Sequence, residues 1–198
     1  MDLAAHVISS GWASGVNAYL TVALLSLLGR AGAVEVPEPL ESDTVLVVSL
    51  GLFAVEFVAD KVPYVDNLWD AGQTLFRPAI GSAVGVSFAG EAGVDSLDEV
   101  LSGGTAGATA LASHAVKAGL RLGINTSPEP VTNIIASVTE DGLVAAIVAF
   151  SLEQPEIAAA IALLLLAGGI TLVVLIWSRI RRTLIRLMQR PGDRAPPG

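Results

Sequence analysis

The sequence predicts an all-α protein, a polytopic membrane helix bundle of about six spans. Three observations carry that expectation. The 198 residues are 53% hydrophobic and only 15% charged, with a mean hydropathy of +0.66. Apolar runs long enough to cross a bilayer as helices recur along the chain. The charges are gathered: five ionised groups fall within the fifteen residues from Glu56 to Asp70, between two apolar segments.

Composition also removes alternatives. With no cysteine there is no disulfide frame, thiolate metal site or thiol nucleophile. A net charge of −8, and no basic groove interleaved with aromatics, speaks against nucleic-acid binding. Met1-Asp2-Leu3 lacks the basic region of a signal peptide, so the first helix is expected to stay in the mature protein. No cofactor is expected.

Residues 8–29 read as the first span. Gly11, Ser14, Gly15 and Ser26 are small positions that let another helix approach. Trp12 and Tyr19 are expected near the interfaces, and Asn17 is expected to bond to a neighbouring helix. A loop over 31–43 carries Pro37, Pro39 and four acids. Residues 44–60 form the second span, about 25 Å at 1.5 Å per residue, and Val62-Pro63 ends it. Asp66 is placed to cap the third helix, which runs to about residue 89 with a kink expected at Arg77-Pro78. After an acidic loop over 90–102, a Gly/Ala-rich span over 103–123 is expected to be buried among helices. Residues 131–151 and 157–178 are the last two spans, separated by Glu153-Gln154-Pro155-Glu156. Trp177 is an interfacial anchor type. The chain thus divides into a transmembrane domain over 1–178 and a basic tail over 179–198. In the tail, arginines interleaved with apolar residues from Arg179 to Arg190 read as an amphipathic helix on anionic headgroups, or a plain stop-transfer flank, and 191–198 read as disordered.

Six of the eleven basic residues lie in that tail, while the loops at 31–43, 90–102 and 152–156 hold no lysine or arginine. The positive-inside rule then puts both termini in the cytoplasm of a multi-pass plasma (bacterial inner) membrane protein, with Arg30 alone against. Re-entrant segments or five spans are the alternatives.

Residues 44–89 and 103–151 share one plan, two proline-broken helical hairpins of opposite charge pattern. Glu56 and Asp60 sit on the incoming helix of the first, and Arg77 on its return. Lys117 and Arg121 sit on the incoming helix of the second, with His114 and Asn125 on the same stripe, and Glu140 and Asp141 on its return. This is a weak internal repeat of roles. An ionisable group near the bilayer centre costs roughly 2.5–3.5 kcal/mol on insertion scales. The groups must therefore pair with one another or line a wet cavity. Two readings stand: hairpins locked shut by their own ion pairs, or a polar site converging from both. Lys61, Asp66, Asp70 and Glu129 read equally well as a solvated turn.

At these residues a resemblance enters. Glu56-Phe-Val-Ala-Asp-Lys-Val-Pro-Tyr-Val-Asp66, Arg77-Pro78, and His114-Ala-Val-Lys-Ala-Gly-Leu-Arg121 with Asn125-Thr-Ser-Pro-Glu-Pro130 resemble a bacterial integral-membrane family catalogued as domain of unknown function 4126. The likeness covers about residues 8–165 and implies no activity.

The residues support a small transporter or channel. Its substrate site is expected at Glu56, Asp60, Arg77, His114, Lys117, Arg121, Asn125 and Glu140. A small anion or phosphate-bearing group would suit Arg77, Lys117 and Arg121, and proton coupling would suit His114 and the carboxylates. A non-catalytic assembly subunit of a larger membrane complex, or a homo-oligomer, is the alternative. A divalent-cation transporter is the second, with Glu56, Asp60, Asp66 and Asp70 as ligands. An enzyme has little behind it, since no nucleophile motif is present; an intramembrane hydrolase on Asp60 and Asp66 is its one form.

Overall fold

Asp2 opens the first helix by accepting a hydrogen bond from the Ala5 N–H at 3.2 Å. The computed structural model describes residues 2–32, 35–125 and 130–188, and among them six α-helices and one short 3-10 turn, with no strand. The helices are α1 (Leu3–Arg30), α2 (Asp43–Ala59), α3 (Val65–Glu91), α4 (Ser96–Ile124), α5 (Pro130–Glu153) and α6 (Pro155–Met188). Ser42 caps α2 through the Val45 N–H, and Asp95 caps α4 through the Leu97 and Asp98 N–H groups. α3 starts two residues earlier than expected, so Asp66 lies in its first turn and Tyr64 stands at its N-cap with φ 70°. The bundle is all-helical, and α1, α5 and α6 are long and apolar enough to cross a membrane. α2 has 17 residues, while α3 and α4 are interrupted by charge.

α1 is the central helix. Some 83% of its apolar stretch is buried, against 11% for α6, and it packs on all five others. Trp12 and Tyr19, expected near the interfaces, are buried inside the bundle instead. The tightest pair is α3 with α4, and small residues allow it. Gly85 lies so close to α4 that a Cβ there would stand 2.6 Å from the Ala106 methyl. Gly15 of α1 leaves room for Ser113 and the Ala110 carbonyl. The Gly/Ala residues of α4 thus bury one face against α3 and α1, while Leu111 on its other face stays exposed. The expected hairpins follow one another in the chain without packing as closed units: α2 and α3 touch little, and so do α4 and α5.

α3 is one continuous helix with Pro78 inside it. A break that the sequence did not signal falls at Asn17, whose φ −151° and ψ 97° interrupt α1 at mid-length. The basic tail does not form its own helix, because α6 continues through Arg179 to Met188, 34 residues in all. The expected break at 126–129 with Glu129, Arg190 and Arg194, and the segment 191–198 lie outside the described residues. Arg30 pairs with Asp43 at 2.5 Å and donates to the Glu41 carbonyl, so loop acids offset its charge.

Candidate functional site

The interruption at Asn17 exposes backbone groups inside the bundle. In an unbroken helix the Leu20 N–H would bond to the Val16 carbonyl. Here it bonds to Asn17 Oδ1 at 2.9 Å, so Asn17 caps the second half of α1. The freed Val16 carbonyl accepts from Lys117 Nζ at 3.2 Å, and the Gly15 carbonyl accepts from Arg77 Nη1 at 3.0 Å. A helix C-terminus carries partial negative charge, so its end on the first half of α1 attracts both cations. The Asn17 amide donates to Asp141 Oδ1 at 3.0 Å, the inter-helix bond expected of it.

Around this break the charged side chains of α2, α3, α4 and α5 converge. Antiparallel packing makes that possible: the polar face of α3 lies in its first half and that of α4 in its second, so both meet at the same end. Arg77 donates through Nη2 to Glu56 Oε1 at 2.5 Å and to Asp70 Oδ1 at 3.0 Å. Lys117 donates to Asp60 Oδ2 at 2.7 Å and lies 3.5 Å from Glu56. Arg121 holds Glu140 with both Nε and Nη2, at 3.1 and 2.7 Å. It also donates to the Asp60 carbonyl and to Asn133 Oδ1. Asn125 donates to both carboxylate oxygens of Asp66. Arg77, Glu56 and Arg121 are completely buried, and Lys117 is 3% exposed.

All eight expected substrate-site residues therefore belong to one connected cluster. Its ion pairs do not divide by hairpin. Arg77–Glu56 and Arg121–Glu140 lie within a hairpin, whereas Lys117–Asp60 joins the two. Asp66 and Asp70, equally readable as part of a wet turn, are buried inside the cluster at 0% and 2% exposure. Lys61 lies at its edge, donating to Ser137 Oγ at 3.2 Å and covering the Phe57 ring. His114 takes a role other than the expected neutral-pH titration. Arg77 Nη1 lies 3.0 Å from its Nδ1, and arginine has only donors to offer, so Nδ1 is the acceptor and the ring is neutral. Its Nε2–H then donates to Thr74 Oγ1 at 3.2 Å.

Sequence reasoning missed the Asn17 cap and Asn133, which donates to the Asp60 carbonyl at 3.1 Å. A signal for Asn133 existed: Asn133, Ser137 and Glu140 recur at steps of four and three along α5. Ser113, one step before His114, donates to the Trp12 carbonyl at 2.9 Å and helps to seat α4 on α1.

The charge in this cluster does not balance. Five carboxylates, those of Glu56, Asp60, Asp66, Asp70 and Glu140, face three cations, Arg77, Lys117 and Arg121. Just beyond, Asp141 and Lys61 offset each other. Glu56 Oε2, Asp60 Oδ1, Asp70 Oδ2 and Asp141 Oδ2 are buried acceptors with no donor among the described residues. On the cationic side only Arg77 Nε lacks a partner. Among the described residues no three His, Asp or Glu are arranged to hold a metal ion, so Glu56, Asp60, Asp66 and Asp70 do not form the ligand set considered for a divalent cation.

A family model described as Domain of unknown function (DUF4126) matches residues 4–175. The chain belongs to the DUF4126 family. The match takes in every residue of the charge cluster and stops short of the basic end of α6. The cluster is thus built wholly within the DUF4126 region, and the arginines beyond residue 175 lie outside it. No curated protein and no solved structure matches the chain.

Proposed function

We propose that this DUF4126 protein is a small, non-catalytic, multi-pass membrane transporter or channel, and that its buried cluster takes up and releases protons. The observation that carries this reading is the excess of two carboxylates over cations in a buried cluster, together with acceptor oxygens on Glu56, Asp60 and Asp70 that have no donor among the described residues. Buried unpaired charge costs several kcal/mol per ion, and a carboxylate so placed takes a proton instead. Protons supply both what the charge count and what the orphaned oxygens lack. The anion or phosphate-bearing substrate has less behind it, because the guanidinium and ammonium donors are largely occupied by carboxylates and carbonyls. A divalent cation lacks a ready ligand set.

The reading includes a topology. Six crossings would place both termini in the cytoplasm of a bacterial inner membrane and the acidic turns outside. The exposed arginines at the end of α6 would then meet anionic headgroups on the cytoplasmic side. Arg30, paired with Asp43, is the one basic residue that opposes this orientation. An assembly subunit remains the second reading, favoured by the small fraction of α6 that this chain covers.

The test is infrared spectroscopy of the purified protein, followed by flux measurements. At neutral pH the expected spectrum has a carboxylic-acid C=O stretch that weakens in Glu56→Gln or Asp70→Asn. Vesicles holding the protein should dissipate a pH gradient faster than empty ones. A spectrum with carboxylates alone, and vesicles as tight as empty ones, would sink the proposal.

A further inference from the structure

One cavity reaches the cluster from the side. It has a volume of about 240 Å³ and lies between α1, α4, α5 and α6. Its lining residues come from the interior turns of those helices, not their ends, and it occupies the gap left where α4 and α5 hardly touch. Leu120, Leu143 and Leu165 form apolar walls, Trp12 adds an indole, and Lys117 and Glu140 stand where the cavity meets the cluster. The Glu140 side chain is 18% exposed, more than any other carboxylate paired in the cluster. Lys117 contributes its stem more than its charge, since Nζ is directed to the Val16 carbonyl and Asp60. α1 and α6 bring no titratable group to this cavity.

From this geometry we infer that the cavity is a binding site for a small organic cation, an ammonium group on an apolar body, entering from the bilayer. The inference rests on the proposed proton-binding role of the cluster and names what exchanges with the protons. The walls select an apolar body. The excess of carboxylates selects positive charge, and an indole face attracts quaternary ammonium groups. The volume lies below that of typical drug-sized pockets, about 300–1,000 Å³, so the ligand is small. Exchange balances: a carboxylic acid of the cluster releases its proton, and the carboxylate left behind is neutralised by the ammonium ion, with no change in net charge.

The experiment is titration calorimetry of the full chain in detergent with benzyltrimethylammonium. Its uncharged carbon isostere neopentylbenzene and the anion benzylphosphonate serve as comparisons. The expected result is binding of the cation alone, with protons released to the buffer and affinity falling as pH falls. Trp12→Leu should weaken binding about tenfold. Leu120→Phe and Leu143→Phe fill the cavity from α4 and α5 without touching a charge. Either, if folded, should abolish binding and leave the carboxylic-acid infrared band unchanged. Equal binding of the neutral isostere, binding of the anion in place of the cation, or full affinity in a folded cavity-filled variant overturns the inference. No cation binding with the band present overturns this inference alone, whereas absence of the band in the parent protein overturns the proton-binding role as well.

Discussion

Lys117 is the residue on which the two halves of the cluster meet. It donates to Asp60 of α2 and to the broken end of α1, and lies within 3.5–3.9 Å of Glu56, Asp70 and Glu140. Lys117→Met keeps the length and removes the charge. It leaves the buried Asp60 carboxylate with no close donor and only Arg121, at 3.8 Å, to offset its charge, so a loss of about 3–5 kcal/mol is expected, measured as earlier thermal unfolding in detergent. Adding Asp60→Asn should recover part of it, because the pair is in direct contact and its effects are not additive. If Lys117→Met unfolds like the parent, the ion pair is not what holds α4 against α2. Arg77 presents a different case. Four of its five N–H groups are used, on Glu56, Asp70, Gly15 and His114. A lysine has three donors and no planar fork, so Arg77→Lys should not restore the parent unfolding temperature.

At the scale of the element, α1 carries the unexpected feature. A helix of 28 residues is interrupted at its centre by one asparagine that caps its own second half. Asn17→Ala removes that cap and the bond to Asp141, and a loss of about 0.5–2 kcal/mol is expected for the cap alone. Asn17→Ser, which keeps a cap-forming oxygen, should lose less. Equal unfolding temperatures for the two variants would show that capping is not the role of Asn17. The small residues make a second, independent claim. Gly15→Ala and Gly85→Ala push methyl groups into backbone or Cβ atoms of α4. Overpacking of this kind costs about 1–3 kcal/mol, whereas Gly51→Ala, which points into open space, should leave stability unchanged or raised. The continuous α6 matters here too. Its 34 residues extend about 51 Å, well beyond a hydrocarbon core of about 30 Å. The arginine-bearing turns therefore run on from the apolar ones along one axis, and no turn lays them flat.

For the whole molecule, the proposed topology makes the cheapest prediction. The chain has no cysteine, so single cysteines report without background. Cysteines at positions 38 and 95 should react with an impermeant thiol reagent on intact cells, and one at 186 should react only after lysis. Labelling at 186 with protection at 38 would reverse the orientation and put the cluster in the outer half of the membrane. In the proposed orientation the cluster, near the turn after α2 and the end of α4, lies toward the cytoplasm. The cavity beside Glu140 lies level with the interior of α6.

Much of this was legible in the sequence because it is local or periodic. Helix existence follows from apolar runs and from the proline-bearing and acidic turns between them. The stripe His114, Lys117, Arg121 and Asn125 follows from steps of three and four, and the high cost of charge in an apolar interior forces such groups toward partners. Tertiary structure alone decided the rest. Which acid meets which base depends on helix neighbours far apart in sequence, and Lys117 reaches Asp60 only because α2 and α4 both pack on α1. That α1, not α4, stands at the centre could not be read from composition, because lipid tails and protein interior are equally apolar and hydropathy does not distinguish them. The break at Asn17 has the same origin. Only in the folded bundle do Lys117 and Arg77 stand ready to donate to the freed carbonyl oxygens, and only there does Asp141 fix the asparagine side chain.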